Sequence, residues 1–160
     1  MTELKDYVEI KIPAKPEFIG VVRLTLSGIA SRMGFSYDDI EDLKIAASEA
    51  LTNAVKHAYQ QDGHGEIIIG FGIWDDRLEV MVTDNGKSFD FQKLKEKLGP
   101  YSPSVSIDDL HEGGLGLFLI ETLMDEVKVQ VHSGVTVLMT KVLTGEKMEH
   151  DTNVSRTKTN

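Results

Sequence analysis

The chain has no cysteine in its 160 residues, which excludes a disulfide framework and any thiolate metal site. Positive charge is also in deficit: 17 Lys and Arg stand against 26 Asp and Glu, a formal net charge of −9. No Lys/Arg-rich stripe offsets that deficit, so a phosphate backbone would be repelled and direct nucleic-acid binding is not expected. A basic protein partner would instead be steered toward this surface. Long apolar runs are missing too, and the opening "MTELKDYVEI" lacks a signal-peptide pattern. The cytoplasm is therefore the expected location, with no membrane partner. What is present is ordinary for one globular domain: 41% hydrophobic and 27% charged residues, at a length that can bury a core.

The segment "YVEIKI" (7–12) alternates and stops at Pro13, which predicts a strand. From Pro16 to Met33 the apolar residues Phe18, Ile19, Val22, Leu26, Ile29 and Met33 recur every three or four positions, an amphipathic helix stopped by Gly34. Ser36 is the expected N-cap of the next helix, whose first turn carries Asp38, Asp39 and Glu41. Ile40, Leu43, Ala47, Ala50, Ala54 and Ala58 form its core stripe, and the small alanines predict close packing. "GEIIIGFGIW" (65–74) and "RLEVMVTD" (77–84) read as a hairpin turned at Asp75-Asp76. "GGLGLFLIETLMDE" (113–126) predicts a glycine-rich turn entering a helix, and a second hairpin follows about Ser133-Gly134. Between the hairpin and that helix, residues 85–112 show weak periodicity, with prolines, serines and a lysine run. A stretch of that length reads as an active-site lid, placed at about 87–112. The polar segment 144–160 is expected to fray, leaving 1–143 as the domain. The order of elements predicts an α+β fold: a two-layer sandwich of a mixed, mostly antiparallel sheet with helices on one face.

Three short patterns carry chemistry. The first is a polar stripe on the second helix. Glu49, Asn53 and His57 stand four residues apart beside Lys56, so they share one face. By itself such a stripe reads as a solvated face. Asn53, however, offers a neutral oxygen to a hard cation such as Mg²⁺, and Glu49 is placed to orient and deprotonate a hydroxyl. The second is "VTDNGKSF", where Asp84 ends a buried strand and is suited to accept a hydrogen bond from the exocyclic amine of adenine. Gly86 lets a ligand pack on the backbone there. The third is the run Gly113, Gly114, Gly116 before a helix, whose free N–H groups attract anions. It is not a P-loop, since no Lys-Ser/Thr pair follows, nor the dinucleotide fingerprint, since Leu119 holds the third glycine position. The conventional protein-kinase motifs are absent as well.

Glu49 and Asn53 on a helix, then Asp84-x-Gly86, then Gly114-x-Gly116, then Thr136 on a late strand, occur in the order of the superfamily of gyrase, Hsp90, histidine kinases and MutL. The sequence resembles that superfamily nearly end to end. Through "IEDLKIAASEALTNAVKHAY", "GPYSPS" and "EGGLGLFLIETLMDEV" it is most similar to the anti-sigma-factor serine kinases. The resemblance implies a Bergerat-type ATP-binding fold, with Glu49 as general base and Asn53 as Mg²⁺ ligand. It implies that Asp84, Gly86 and Thr136 hold adenine, and that Gly114, Leu115 and Gly116 line the phosphates. Lys56 and His57 are implied as further ATP contacts, and Arg23 as a contact to the protein substrate. Two departures stand out: Ser88 replaces a frequent glycine, and the glycine-rich box has no cation, which leaves charge stabilisation to Mg²⁺, backbone N–H groups or Lys93, Lys95 and Lys97.

The implied function is a homodimeric protein-serine kinase and anti-sigma factor. It would hold a sigma-B-type sigma factor and use Mg-ATP to phosphorylate a serine on an anti-sigma-factor antagonist. The alternative is a nucleotide-regulated binding module without phosphotransfer, against which Glu49 argues, since binding alone needs no base. A histidine-kinase catalytic half ranks last, because there is no room for a helical dimerisation segment with an acceptor histidine. "VEIKI" is a candidate edge strand for dimerisation.

Overall fold

The computed structural model describes residues 3–61, 65–84, 99–100, 114–130 and 135–143. The lid expected at about 87–112 (apart from Gly99 and Pro100), the tail 144–160, Gly86 and Lys93, Lys95 and Lys97 lie outside the described residues.

Strand β1 (Leu4–Pro13) leads through a short 3₁₀ turn (Pro16–Phe18) into helix α1 (Ile19–Met33). Val22, Leu26 and Ala30 are its buried stripe, spaced by four as the sequence pattern requires. Gly34 ends it at φ 96°, a left-handed conformation that costs glycine little, and its N–H reaches back to Ala30 and Ser31. Helix α2 (Tyr37–Gln61) starts where predicted: the Ser36 hydroxyl accepts the Asp39 N–H at 3.2 Å. Its inner face is small and apolar, with Ala46, Ala47, Ala50, Leu51, Ala54 and Val55 all buried. Alanine at this density lets α2 lie close to its neighbours, while Leu43 and Leu51 each contribute about 2 kcal/mol of burial.

Strands β2 (Glu66–Trp74) and β3 (Arg77–Thr83) form the predicted hairpin. Beyond them come β4 (Gly99–Pro100), helix α3 (Gly114–Leu123), β5 (Glu126–Gln130) and β6 (Thr136–Val142). The sheet order is β1-β2-β3-β6-β5-β4. Every pairing among the described residues is antiparallel, so no parallel pair of a mixed sheet occurs there. Gly99 and Pro100, inside the segment expected to be lid, pair instead with Val129 and Lys128 at the sheet edge.

Alternation divides the sheet residues between two faces. Ile67, Ile69, Phe71, Leu78, Val80, Val82, Val137 and Met139 join the helices in one core. Ile68, Met81 and Leu138 point the other way and are also buried. On the helix side, Lys141 from β6 joins both helices of the site. Its ammonium donates to the Leu123 carbonyl at the end of α3 (2.6 Å) and faces Asp39 and Asp42 of α2 at 3.8 and 3.5 Å. A cation at the C-terminus of one helix and the N-terminal acids of another fixes the relation of α2 to α3.

Candidate nucleotide site

The site lies where α2, α3 and the ends of β3 and β6 converge. Glu49 and Asn53 are one turn apart on α2, and the first turn of α3 comes down on them. A methyl group on Gly116 would stand 3.1 Å from Glu49 Oε2 and 3.2 Å from Asn53 Nδ2. Gly116 has ordinary helical backbone (among the described glycines only Gly34 has positive φ), so what it supplies here is space. As described, α3 begins at Gly114, so the N–H groups of Gly114, Leu115 and Gly116 lie in its first turn, at its positive end. Two acceptor-bearing side chains and a set of backbone donors thus meet at a surface without a side chain in the way.

Asn53 is distinctive. Its amide nitrogen is buried and has no hydrogen-bond partner among the described residues. A buried polar atom left alone costs about 1–3 kcal/mol, so its retention points to a ligand. The two ends of an asparagine amide are interchangeable by rotation, so either the oxygen or the nitrogen can face that ligand.

The other end of the stripe meets the sheet. His57, one turn beyond Asn53, directs Nδ1 at Asp84 Oδ2, and the Val135 N–H donates to Asp84 Oδ1 at 2.7 Å. The Asp84 N–H returns a bond to the Val135 carbonyl at 3.3 Å, so the carboxylate closes the edge of the β3–β6 ladder. Its side chain is 4% exposed, against 25% for His57. Each bond to this charged acceptor is worth roughly 1.5–3 kcal/mol.

The histidine kinase-like ATPase domain family matches residues 12–141, which covers all of these positions. Serine-protein kinase RsbW of Bacillus subtilis (strain 168) is 63% identical over 155 residues, 97% of each chain. The chain belongs to the RsbW serine-protein kinases of that family. The RsbW of Bacillus velezensis is 62% identical over the full length of both chains, and that of Oceanobacillus iheyensis 57% over 91% of this chain and 92% of its own. Among solved structures, the RsbU and RsbW domains of a Mycobacterium tuberculosis protein superpose at a TM-score of 0.60. That likeness has 22% identity and covers 86% of this chain and 32% of the other, and it establishes the fold. As a member of this ATPase family the chain binds ATP.

Within the RsbW framework, the described residues bring Glu49, Asn53 and Gly116 together at one end of the cleft and His57 and Asp84 at the other. Lys56 lies beside them on α2 and is exposed. Thr136, expected to hold adenine, lies at the start of β6. It alternates with Val135 and Val137 of the helix-side core, and its buried hydroxyl bonds Thr83 at 2.8 Å on the other side of the sheet. Arg23 is exposed on α1, in a depression shared with Gly20, Leu24, Ser27 and Lys44, apart from the cleft. Gly86 lies outside the described residues.

Sequence reasoning missed Val135, Thr83 and Lys141. Val135 acts through its backbone, which leaves no trace in residue type. Thr83 and Lys141 gain meaning only from the β3–β6 register and the helix ends above it. No helix among the described residues is long and apolar enough to cross a membrane.

Proposed function

We propose that this chain is a cytoplasmic anti-sigma factor and protein-serine kinase, with residues 1–143 as its kinase domain, 87–112 as lid and 144–160 as a separate tail. It sequesters a sigma-B-type sigma factor and, as a homodimer, uses Mg-ATP to phosphorylate a serine on its antagonist. The observation that carries the reading is the buried amide nitrogen of Asn53, which has no partner among the described residues, set against Glu49 and the bare backbone of Gly116.

The donor set fits a magnesium ion. Among the described residues there is no cluster of three His, Asp or Glu side chains to cage a metal. A neutral amide beside a phosphate cradle suits Mg²⁺, which keeps waters and takes its remaining oxygens from phosphate. When bound, the ion would neutralise charge on the transferring phosphoryl group. The chain's own residues do the rest. Asp84 accepts the adenine amine and fixes the base. The N–H groups of Gly114, Leu115 and Gly116 point at the phosphates from the positive end of α3. Glu49 holds the substrate serine hydroxyl in line and takes its proton at a carboxylate oxygen as the Oγ–P bond forms, while ADP departs. Thr136 serves the adenine end through Thr83, by bracing the strand that delivers Asp84. Lys56 adds an exposed cation near the phosphates, and Arg23 contacts the antagonist on α1.

Titration calorimetry with ATP, with and without Mg²⁺, tests this reading on the wild type and on Asn53→Ala. Mg-assisted binding that Asn53→Ala loses is the expected result. Glu49→Gln should keep ATP affinity within about twofold and lower transfer by at least a hundredfold, since it removes only the base. A Glu49→Gln protein that transfers phosphate normally would refute the assignment of the base.

A further inference from the structure

We propose that His57 is a positioning residue that fixes Asp84 as an acceptor for the adenine amine, and so sets the preference for adenine nucleotides. The inference rests on the reading of this cleft as the ATP site and assigns a role the nucleotide itself does not reveal.

Asp84 is held at both oxygens. The Val135 N–H reaches Oδ1 at 2.7 Å, and His57 Nδ1 reaches Oδ2. A ring nitrogen that faces a carboxylate carries a proton, so His57 donates from Nδ1. Two N–H donors at opposite oxygens fix the plane of the carboxylate. Each carboxylate oxygen has room for about two hydrogen bonds, so Oδ2 can accept the adenine amine beside His57. A purine with a carbonyl at the same position would set acceptor against acceptor, leaving that carbonyl unpaired against a carboxylate whose side chain is 4% exposed. Without His57, Asp84 would keep one anchor and could turn Oδ2 away from the base.

The spacing of the stripe follows from this. His57 is four residues after Asn53, a rise of about 6 Å along α2. One rigid helix therefore carries the group for the phosphate end and the group that aims the adenine end.

Affinities for ATP and for purine riboside triphosphate, which lacks the 6-amino group, separate this role from simple packing. They would be measured by calorimetry on wild type, His57→Ala and His57→Asn, whose amide N–H falls where Nδ1 was. Wild type should prefer ATP. His57→Ala should lose about tenfold in ATP affinity, the worth of one hydrogen bond to a charged group, with the analogue unchanged within about twofold. His57→Asn should recover most of the preference. If His57→Ala does not fold, His57→Leu fills the space without a donor and should give the same loss. Equal losses for both nucleotides would reduce His57 to a packing residue and overturn the proposal, as would unchanged ATP affinity. A wild type that binds ATP and the analogue equally would instead remove Asp84 from the adenine, refuting the site assignment on which the proposal rests.

Discussion

Gly116→Ala separates stability from catalysis in a way that follows from two distances. The added methyl would lie 3.1 Å from Glu49 Oε2 and 3.2 Å from Asn53 Nδ2. Comfortable contact begins at about 3.5 Å, so the overlap is roughly 0.3–0.4 Å against both groups at once. Both obstacles are ends of side chains on α2, which can retreat by that amount without moving backbone. Alanine is also the better helix residue, by up to about 1 kcal/mol relative to glycine. The two effects oppose each other, and the net change should stay within about 1 kcal/mol, or about 2–4 °C in Tm for a chain of this size. Activity has no such compensation. A misplacement of 1 Å in a reacting group can cost about a hundredfold, so 0.3–0.4 Å applied to the proposed base Glu49 and the proposed metal ligand Asn53 should cost about fivefold in kcat. The assay is transfer of γ-³²P from ATP to the antagonist, paired with a thermal melt on the same preparation. Wild-type kcat with a near-normal Tm would refute the contact between Gly116 and the reacting groups. A fall of more than about 8 °C with full activity per folded molecule would make Gly116 a packing position only.

Lys141→Met should destabilise the protein by about 2–3 kcal/mol in urea denaturation, because it removes the buried ammonium that faces Asp39 and Asp42 and uncaps the Leu123 carbonyl. A loss under about 0.5 kcal/mol would show that the ammonium does not join α2 to α3. Tyr7, 37% exposed on β1 and bonded to Glu9, has its phenol pushed above the ordinary 10.0, chiefly by desolvation and then by that hydrogen bond. Its neutral form is favoured by folding, so this contribution is intact below pH 10 and is lost as pH rises toward the elevated folded value. Tyr7→Phe should therefore flatten the alkaline decline in denaturation midpoint, and an unchanged slope above pH 10 would count against it.

Much of the fold was legible because local physics and tertiary structure agreed. The recurrence of Val22, Leu26, Ile29 and Met33 every three or four positions, the Ser36 cap and the Asp75-Asp76 turn each name their element without help from distant residues. The site was legible in part. The stripe of Glu49, Asn53 and His57 announced a functional face, because a helix enforces the proximity of residues four apart. The family resemblance then supplied partners in β3 and α3 that no local rule could supply. Thr136 shows the limit. Its place on a late strand was visible, but the side to which its hydroxyl points depends on the β3–β6 register. Strand side chains alternate, so one residue decides between the cleft and the opposite face.

The sequence by itself determined the elements, the acidic surface and the set of groups available for chemistry, because these depend on residue type and on spacings of two to four. Only the tertiary structure decided which of those groups meet. The packing of α3 onto α2 leaves the Asn53 amide nitrogen buried beneath Gly116 with no partner among the described residues, and the antiparallel register of β3 and β6 brings the Val135 N–H to Asp84. These contacts join residues dozens of positions apart through backbone atoms and empty space, neither of which is written in the identity of a side chain.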